Sequence, residues 1–496
     1  MKSIVIILFC LIGELVIPQI SFYPVYNLSN TPNTASGNHS VYFEPGGNYY
    51  IVWVDDDKIL FKKSTDLGES WSGSQVLVSS NNICGSPAIK SDYNYVYVVC
   101  HQFSGDYEIL FLSSSDFGQT WSPLQGISGM DSGSLVPQLE VSGSNIFVTW
   151  EQKTSLMNNK SEINFIKSSD RGISWSSIIN LSNSQQIHSD DVQITLSGNN
   201  LYCSWLEYLS SMENDIYFSK STNNGNNWTA PVNITNNSDF QYNIYMTDNG
   251  INYLYIAYEN GALLESEIYL KNSSDGGGTW SVPVNITNNP GKSSNPCISI
   301  FSDNIYFIWS DNSHSIPAND SSDIFFKWST DFGLNWLDSV NVSENSGNSL
   351  QPRICYEING PLPAPWLDIT IFWYDYSPGI SEIFARRANH NLSSVEATPD
   401  EINSFILEQN YPNPFNPSTR IKYSVPFVET HRDASLLVTL KVFDILGNEI
   451  ETLVNEEKAA GAYEITWYAE GLPSGIYFYQ LKAGEFIQTM KMILLK

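Results

Sequence analysis

At 496 residues the chain is too long for one ordinary hydrophobic core, so it must form several domains or one large repeat array. Aromatics make up 13% of it and charged side chains only 15%, with Asn, Ser and Gly between apolar runs of strand length: an all-β composition rich in turns. The formal charge of -28, from 52 acids against 24 bases, excludes a basic track for nucleic acid and leaves an acidic exported surface compatible with neutral glycans or divalent cations such as Ca2+.

In chain order, Lys2 precedes an apolar run from Ile4 to Ile12 that Gly13 and Glu14 break. This reads as a secretory signal over residues 1–21, with cleavage near Ser21, and is too short to span a bilayer as a mature helix. No other apolar stretch reaches membrane length, so no transmembrane segment is expected in the mature chain. Cys10 follows Phe9, too large a residue for a lipoprotein cleavage site, and no lipid is expected there. Cys84, Cys100, Cys203, Cys297 and Cys355 remain, an odd number without CxxC spacing, which argues against a disulfide scaffold or a zinc site. Cys84 and Cys100 could meet across one hairpin.

From residue 22 to 391 the sequence repeats. An octapeptide Ser-x-Asp-x-Gly-x-x-Trp recurs from Ser64 to Trp71, Ser114 to Trp121, Ser168 to Trp175, Ser221 to Trp228, Ser273 to Trp280 and Ser329 to Trp336, with tryptophans 50, 54, 53, 52 and 56 residues apart. A period near fifty with several short strands per unit predicts a β-propeller. A strand mostly of the form acid-Ile-x-aromatic precedes each octapeptide, around Ile59, Ile109, Ile163, Ile216, Ile268 and Ile324, and occurs a seventh time at Ile383 without one. Short strands such as 231–235 and 283–287 follow the octapeptides, and a copy, 24–29, stands before the first unit. The expected order within a unit is inner, second and third strand, octapeptide turn, outer strand. Residues 24–29 then supply the outer strand of the last unit and close the ring. Seven blades are expected, with six as the alternative.

The octapeptide resembles the Asp-box, or bacterial neuraminidase repeat, of sialidases and many other propellers. Asp66, Asp116, Asp170, Asp275 and Asp331 keep its acid and Asn223 replaces it once. The chemistry is that of a turn: the acid accepts turn amides, Gly takes positive φ and Trp is expected to fold back onto its blade. Six such turns around a ring cannot converge on one substrate, so they are read as structural.

Candidate ligand residues come from the opposite end of the propeller, where the second strand repeatedly ends in an aromatic followed by an acid. These are Trp53/Asp55, Trp150/Glu151, Trp205/Glu207, Tyr258/Glu259, Trp309/Asp311 and Trp373/Asp375, with Cys100-His101-Gln102 departing from the pattern. Two readings stand side by side: aromatics packed between blades with acids at strand ends, or a ring of platforms and carboxylates for a sugar or a cation. The sialidase resemblance implies an arginine triad, a Tyr/Glu nucleophile pair and an Asp acid/base. The propeller's arginines, Arg171, Arg353, Arg386 and Arg387, cannot supply that triad, and no catalytic residue is assigned. Arg353 alone lies on an inner strand and could face the channel. His39, His101, His188 and His314 show no metal-ligand spacing and are read as loop residues.

Residues 392–404 read as a linker and 405–496 as a small Ig-like β-sandwich. Its strands are expected from Thr419, Leu437, Glu449, Tyr463, Gly475 and Glu485 onward, with a hairpin turn at Gly447-Asn448. The stretch 410–417, Phe443 to Gly447, Leu472 to Tyr477 and the basic-apolar ending 491–496 resemble the type A sorting domain of the type IX secretion system. That resemblance implies export across both membranes of a Gram-negative bacterium, removal of the tail, and attachment to the cell surface or release. The expected function is binding of glycans or another extracellular macromolecule. A glycoside hydrolase of non-sialidase specificity and a structural surface protein are the alternatives.

Overall fold

The computed structural model describes residues 20–391, apart from 45–46, 80–82, 130–132, 156–159, 185–186, 211–212, 238, 250–252, 263–264, 314–320, 346 and 360–365, and residues 406–495, apart from 408–409, 411–412, 414, 426–435, 459–460, 470 and 485. The expected signal as far as Gln19 and the linker 392–404 lie outside the described residues. Two compact units form, one of residues 20–360 with 366–390 and one containing 391–496.

Among the described residues every regular element is a strand. The larger unit holds six four-stranded antiparallel sheets, over residues 36–79, 84–126, 134–180, 188–233, 241–285 and 293–341. A seventh joins Ser349–Asn359, Trp366–Asp375 and Glu382–Asn391 to the N-terminal strands Ile20–Phe22 and Tyr26–Asn27. The inner strand of each sheet lies beside the next, and Ser349–Asn359 lies beside Ser36–Glu44, so the sheets form a closed ring of propeller type. Both faces of each middle strand are buried. In Asn48–Asp55, Tyr50 and Val52 pack towards one neighbour while Tyr49, Ile51 and Trp53 pack towards the other. The continuously apolar second strands follow from that two-sided burial.

The repeated markers prove to be hydrogen-bonding partners. In the fourth sheet Thr235, just past the outer strand Val232–Asn233, donates to Asp215 of the third at 2.8 Å and accepts the Ile216 amide at 2.9 Å. Ser182 with Glu162 and Ser343 with Asp323 repeat the arrangement. At the seam Ser29 donates to Glu382 and accepts the Ile383 amide at 2.8 Å, while the Leu28 amide donates to the Ile383 carbonyl at 2.7 Å. The N-terminal segment therefore occupies the outer position of the last sheet.

In the octapeptide turns the Ser hydroxyl accepts the Gly amide, at 2.8 Å for Ser114 and Gly118, and the acid accepts amides and hydroxyls of the following residues. The residue before the Gly also has positive φ, from 55° to 64° across the six turns. The tryptophan differs from expectation in four of the six turns, where it packs edge-on against the third strand of the preceding sheet, as Trp121 on Phe61, Trp175 on Phe111, Trp228 on Phe165 and Trp280 on Phe218, while Trp336 packs on Phe307 of its own sheet. A Cβ on Gly118 would stand 2.6 Å from that same Phe61 ring, so the glycine gives the neighbouring blade room to approach. Preceding-sheet lysines add a clamp: Lys63 donates to the Phe117 carbonyl at 2.8 Å and Lys167 to that of Asn224 at 2.9 Å.

The five cysteines are free thiols. Cys84 lies opposite Gln102 in the ladder and Cys100 opposite a bulge; the two thiols share one core cluster across the hairpin without being bonded.

The smaller unit stacks two sheets on one core. One joins Ile406–Leu407, Ser418–Val425 and Gly461–Tyr468; the other joins Glu449–Lys458, Leu436–Phe443, Gly475–Ala483 and Phe486–Leu494. Ile421, Tyr423 and Trp467 meet Leu440, Tyr479 and Met492 between them. Gly447, at φ 83°, turns the hairpin, and Asp444 closes it by accepting the Asn448 amide at 2.9 Å.

Candidate binding site at the channel mouth

Each inner strand carries the same irregularity near its start. Two residues oppose one across the ladder at Asn38-His39, Ser86-Pro87, Val136-Pro137, Asp191-Val192, Asn243-Ile244, Asn295-Pro296 and Gln351-Pro352. The first residue of each bulge has φ between 43° and 52°. Four of the second residues are prolines, which lack the amide that a bulge leaves unpaired. The single opposing residue is Trp53, Cys100, Trp150, Trp205, Tyr258, Trp309 or Trp373. The aromatics legible in the sequence thus mark the bulges. The bulges converge on a cavity of about 410 Å³ that runs along the ring axis.

The aromatic and acid pairs then separate into two kinds. Where the acid stands two residues after the aromatic, it is a structural acceptor. Trp205 Nε1 donates to Glu207 at 3.0 Å, Trp309 to Asp311 at 2.8 Å and Trp373 to Asp375 at 3.1 Å. An inner-strand serine adds a second bond: Ser36 to Asp55 at 3.1 Å, Ser293 to Asp311 at 2.8 Å and Ser349 to Asp375 at 2.5 Å. Glu207, Asp311 and Asp375 are all buried, and Trp150, Trp205, Tyr258, Trp309 and Trp373 are at most 2% exposed. Burial alone would raise Asp311, but hydrogen bonds from Ser313, Trp309 and Ser293 hold it below the usual carboxylate range. Of the two readings for these aromatics, their burial fits packing: the rings fill the space between blades.

Where the acid directly follows the aromatic, it reaches the next blade. Glu151 Oε1 accepts the Asp191 amide at 2.9 Å and Glu259 Oε1 accepts the Asn295 amide at 2.9 Å, in each case from the neighbouring bulge. His101 Nδ1 takes the same place towards the Val136 amide at 3.4 Å. Asp191 itself accepts the Ile244 amide at 2.6 Å, and Asn243 donates to Glu259. Glu151, Asp191, Asn243 and Glu259 thus form one blade-to-blade chain, of which Asp191 and Asn243 line the cavity.

Burial, then the neighbouring Asp190, pushes Glu151 up to about 8 and Asp191 up to about 7. Asp190 is engaged on its other side by His188 Nε2 at 3.0 Å. Burial lowers His101 to about 4; burial and then the Arg353 guanidinium lower His39 to about 3. The His39 ring approaches the Phe372 carbonyl without a well-formed hydrogen bond. His39, His101 and His188 lie on strands, not loops as expected, and His314 lies outside the described residues.

Two full cations line the cavity, Lys90 and Arg353. Lys90 is paired with Glu140 at 2.8 Å. The half-buried Arg353 makes one hydrogen bond, 2.9 Å to the carbonyl of its neighbour Pro352, and no ion pair among the described residues. Asp191 escaped the sequence reading because bulge residues vary from blade to blade. Aligning the Ser-Pro, Val-Pro, Asn-Pro and Gln-Pro pairs would have exposed it. Among the described residues no group of three or more His, Cys, Asp or Glu side chains could hold a metal ion.

Residues 409–496 match the model of the secretion system C-terminal sorting domain. The protein is a type IX secretion cargo, exported to the cell surface or released. A search of the curated proteins found no match for the chain. Among solved structures it is similar to an ulvan lyase from a new polysaccharide lyase family, at TM-score 0.54 and 11% identity, covering 73% of this chain and 95% of that one. A Dyadobacter fermentans protein of unknown function aligns at TM-score 0.47 and 9% identity, over 75% of this chain and all of that one. A Penicillium chrysogenum α-L-arabinanase aligns at 0.44 and 11%, over 74% and 98%. The first of these supports the propeller fold and nothing finer.

Proposed function

We propose that this exported chain is a glycan-binding propeller of seven Asp-box-type blades followed by an Ig-like sorting sandwich, and that its ligand enters the channel mouth. The reading rests on one observation above the rest: hydrogen-bonding side chains from several blades converge on the 410 Å³ cavity, among them the amides of Gln138, Gln193, Asn295 and Gln351. That volume lies in the range of small-ligand sites, and only the ring axis lets several blades address one molecule. Amides that both donate and accept suit sugar hydroxyls. A glycan array probed with the purified full chain tests this. Hits that weaken about tenfold or more in the Gln138→Ala/Gln193→Ala double variant are expected; binding unchanged in that variant would remove the channel from consideration.

One observation favours hydrolytic or eliminative chemistry as the second reading. Glu151 and Asp191 are neighbouring carboxyls raised into the range where a general acid operates at neutral pH. Turnover of a polysaccharide that disappears in Asp191→Asn while binding persists would favour it.

A further inference from the structure

We propose that the channel mouth selects a carboxylate-bearing sugar, a uronic acid unit, whose carboxylate seats on the Arg353 guanidinium. This rests on the glycan-binding reading and adds the chemical class of the ligand. It departs from what the overall charge of -28 suggests, because the cavity differs from the surface.

Arg353 carries the inference by contrast with the other arginines of the propeller. Arg386 pairs with Glu344 at 3.2 Å, donates to the Tyr23 and Val342 carbonyls and lies over the Phe22 ring. Arg387 reaches Glu69 at 3.3 Å and covers the Tyr23 ring; Arg171 stacks 4.2 Å from the centre of Tyr95. Each of those guanidinium groups fastens one part of the fold to another. Arg353 fastens nothing: it stands in the cavity with one hydrogen bond to its own neighbour's carbonyl. A half-buried guanidinium retains most of its five donors in a rigid fork, a geometry that matches a carboxylate through two parallel hydrogen bonds.

The acids of the cavity do not cancel it. Glu140 is matched by Lys90. Asp191 feels the Arg353 guanidinium but does not pair with it, being turned to the Ile244 amide, and Glu151 is turned to the Asp191 amide. His39, beside Arg353, is held neutral by burial and by that same guanidinium, so it adds no competing charge. Positive charge without a protein partner therefore remains at one point of the rim, next to amides suited to ring hydroxyls.

The experiment measures, by calorimetry on the purified full chain, tetragalacturonate and tetraglucuronate against neutral tetrasaccharides of the same length and a sulfated neutral tetrasaccharide. Uronates are expected to bind about tenfold or more tighter than the neutral sugars, with that margin lost in Arg353→Gln and partly kept in Arg353→Lys, which retains charge without the fork. Since Arg353 fastens no other element, both variants should melt with the parent; a lowered melting temperature would contradict an unengaged side chain. Equal binding of neutral and acidic sugars, indifferent to Arg353→Gln, overturns the inference and leaves the glycan-binding reading intact. Preference for the sulfated sugar over both uronates also overturns it. Failure of every sugar on the array and in the calorimeter removes the glycan-binding reading itself.

Discussion

A carboxyl group on the surface and one buried between blades respond to pH in opposite directions. Asp116 accepts the Thr120 hydroxyl at 2.6 Å, the Thr120 amide at 2.8 Å and the Ser114 hydroxyl at 2.7 Å, which lower it to about 2; Asp170 and Asp275 are lowered to about 2 in the same way. Their folded values lie below the unfolded one near 4, so the stabilisation is complete above about pH 4 and is lost as pH falls towards 2. A melting temperature that holds at pH 5 and drops steeply between pH 4 and 2 is expected, and a shallower drop in Asp116→Asn would confirm the source. Glu151 is the reverse case, raised to about 8, so its ionisation weakens the fold as pH climbs from about 4 to 8. Glu151→Gln, which keeps an acceptor for the Asp191 amide, should therefore raise the melting temperature at pH 8.5 more than at pH 5. A third residue separates packing from binding. Trp309→Ala should cost about 3–5 kcal/mol in a denaturant titration, because the indole is only 2% exposed and donates to Asp311. A Trp309→Ala protein as stable as the parent would return that ring to the list of candidate ligand platforms.

The strand that closes the ring shows which elements the sequence reveals and why. Its Leu-Ser ending and the acid before Ile383 were readable because the bond between them is local in pattern though the residues are 353 apart: the same hydroxyl-to-acid pair is made in other blades. Ser29→Ala would leave the buried Glu382 carboxylate short of donors, since among the described residues the Thr31 amide at 2.9 Å and the Thr31 hydroxyl at 3.2 Å are its other donors. A loss of about 1–3 kcal/mol is expected, matching that of Ser343→Ala in the preceding blade. A silent Ser29→Ala beside a costly Ser343→Ala would show that the seam is not an ordinary blade edge. Bulges were less legible. Their left-handed residue is Asn in three and Ser, Val, Asp or Gln in the others, and a proline follows it in four of the seven. Hence Arg353 could be singled out from its inner-strand position, while Asp191 could not. The same blindness merged Glu207, Asp311 and Asp375 with Glu151 and Glu259, although a shift of one residue after the aromatic reverses the face of a strand.

At the scale of the whole molecule, the ring and the sorting sandwich have separate cores. Every bond named at the seam lies within residues 20–391, and Ser29, Ile383 and Glu382 complete the last blade without any residue beyond it. The sandwich buries its own residues between its own two sheets, Leu440, Tyr479 and Met492 against Ile421 and Trp467. Its match to a sorting domain assigns it to export, and the channel residues are all upstream of it. A chain ending at residue 404 should therefore fold, melt at the temperature of the parent's propeller transition and keep whatever binding the full chain shows, yet remain in the periplasm of a type IX-competent host. Fractionation of cells expressing the two forms, with calorimetry on the truncated protein, checks both halves. Truncated chain appearing outside the cell at the parent's level would deny the sandwich its role as an address. A propeller that unfolds on truncation would mean that the sandwich stabilises the ring through contacts not needed for its closure.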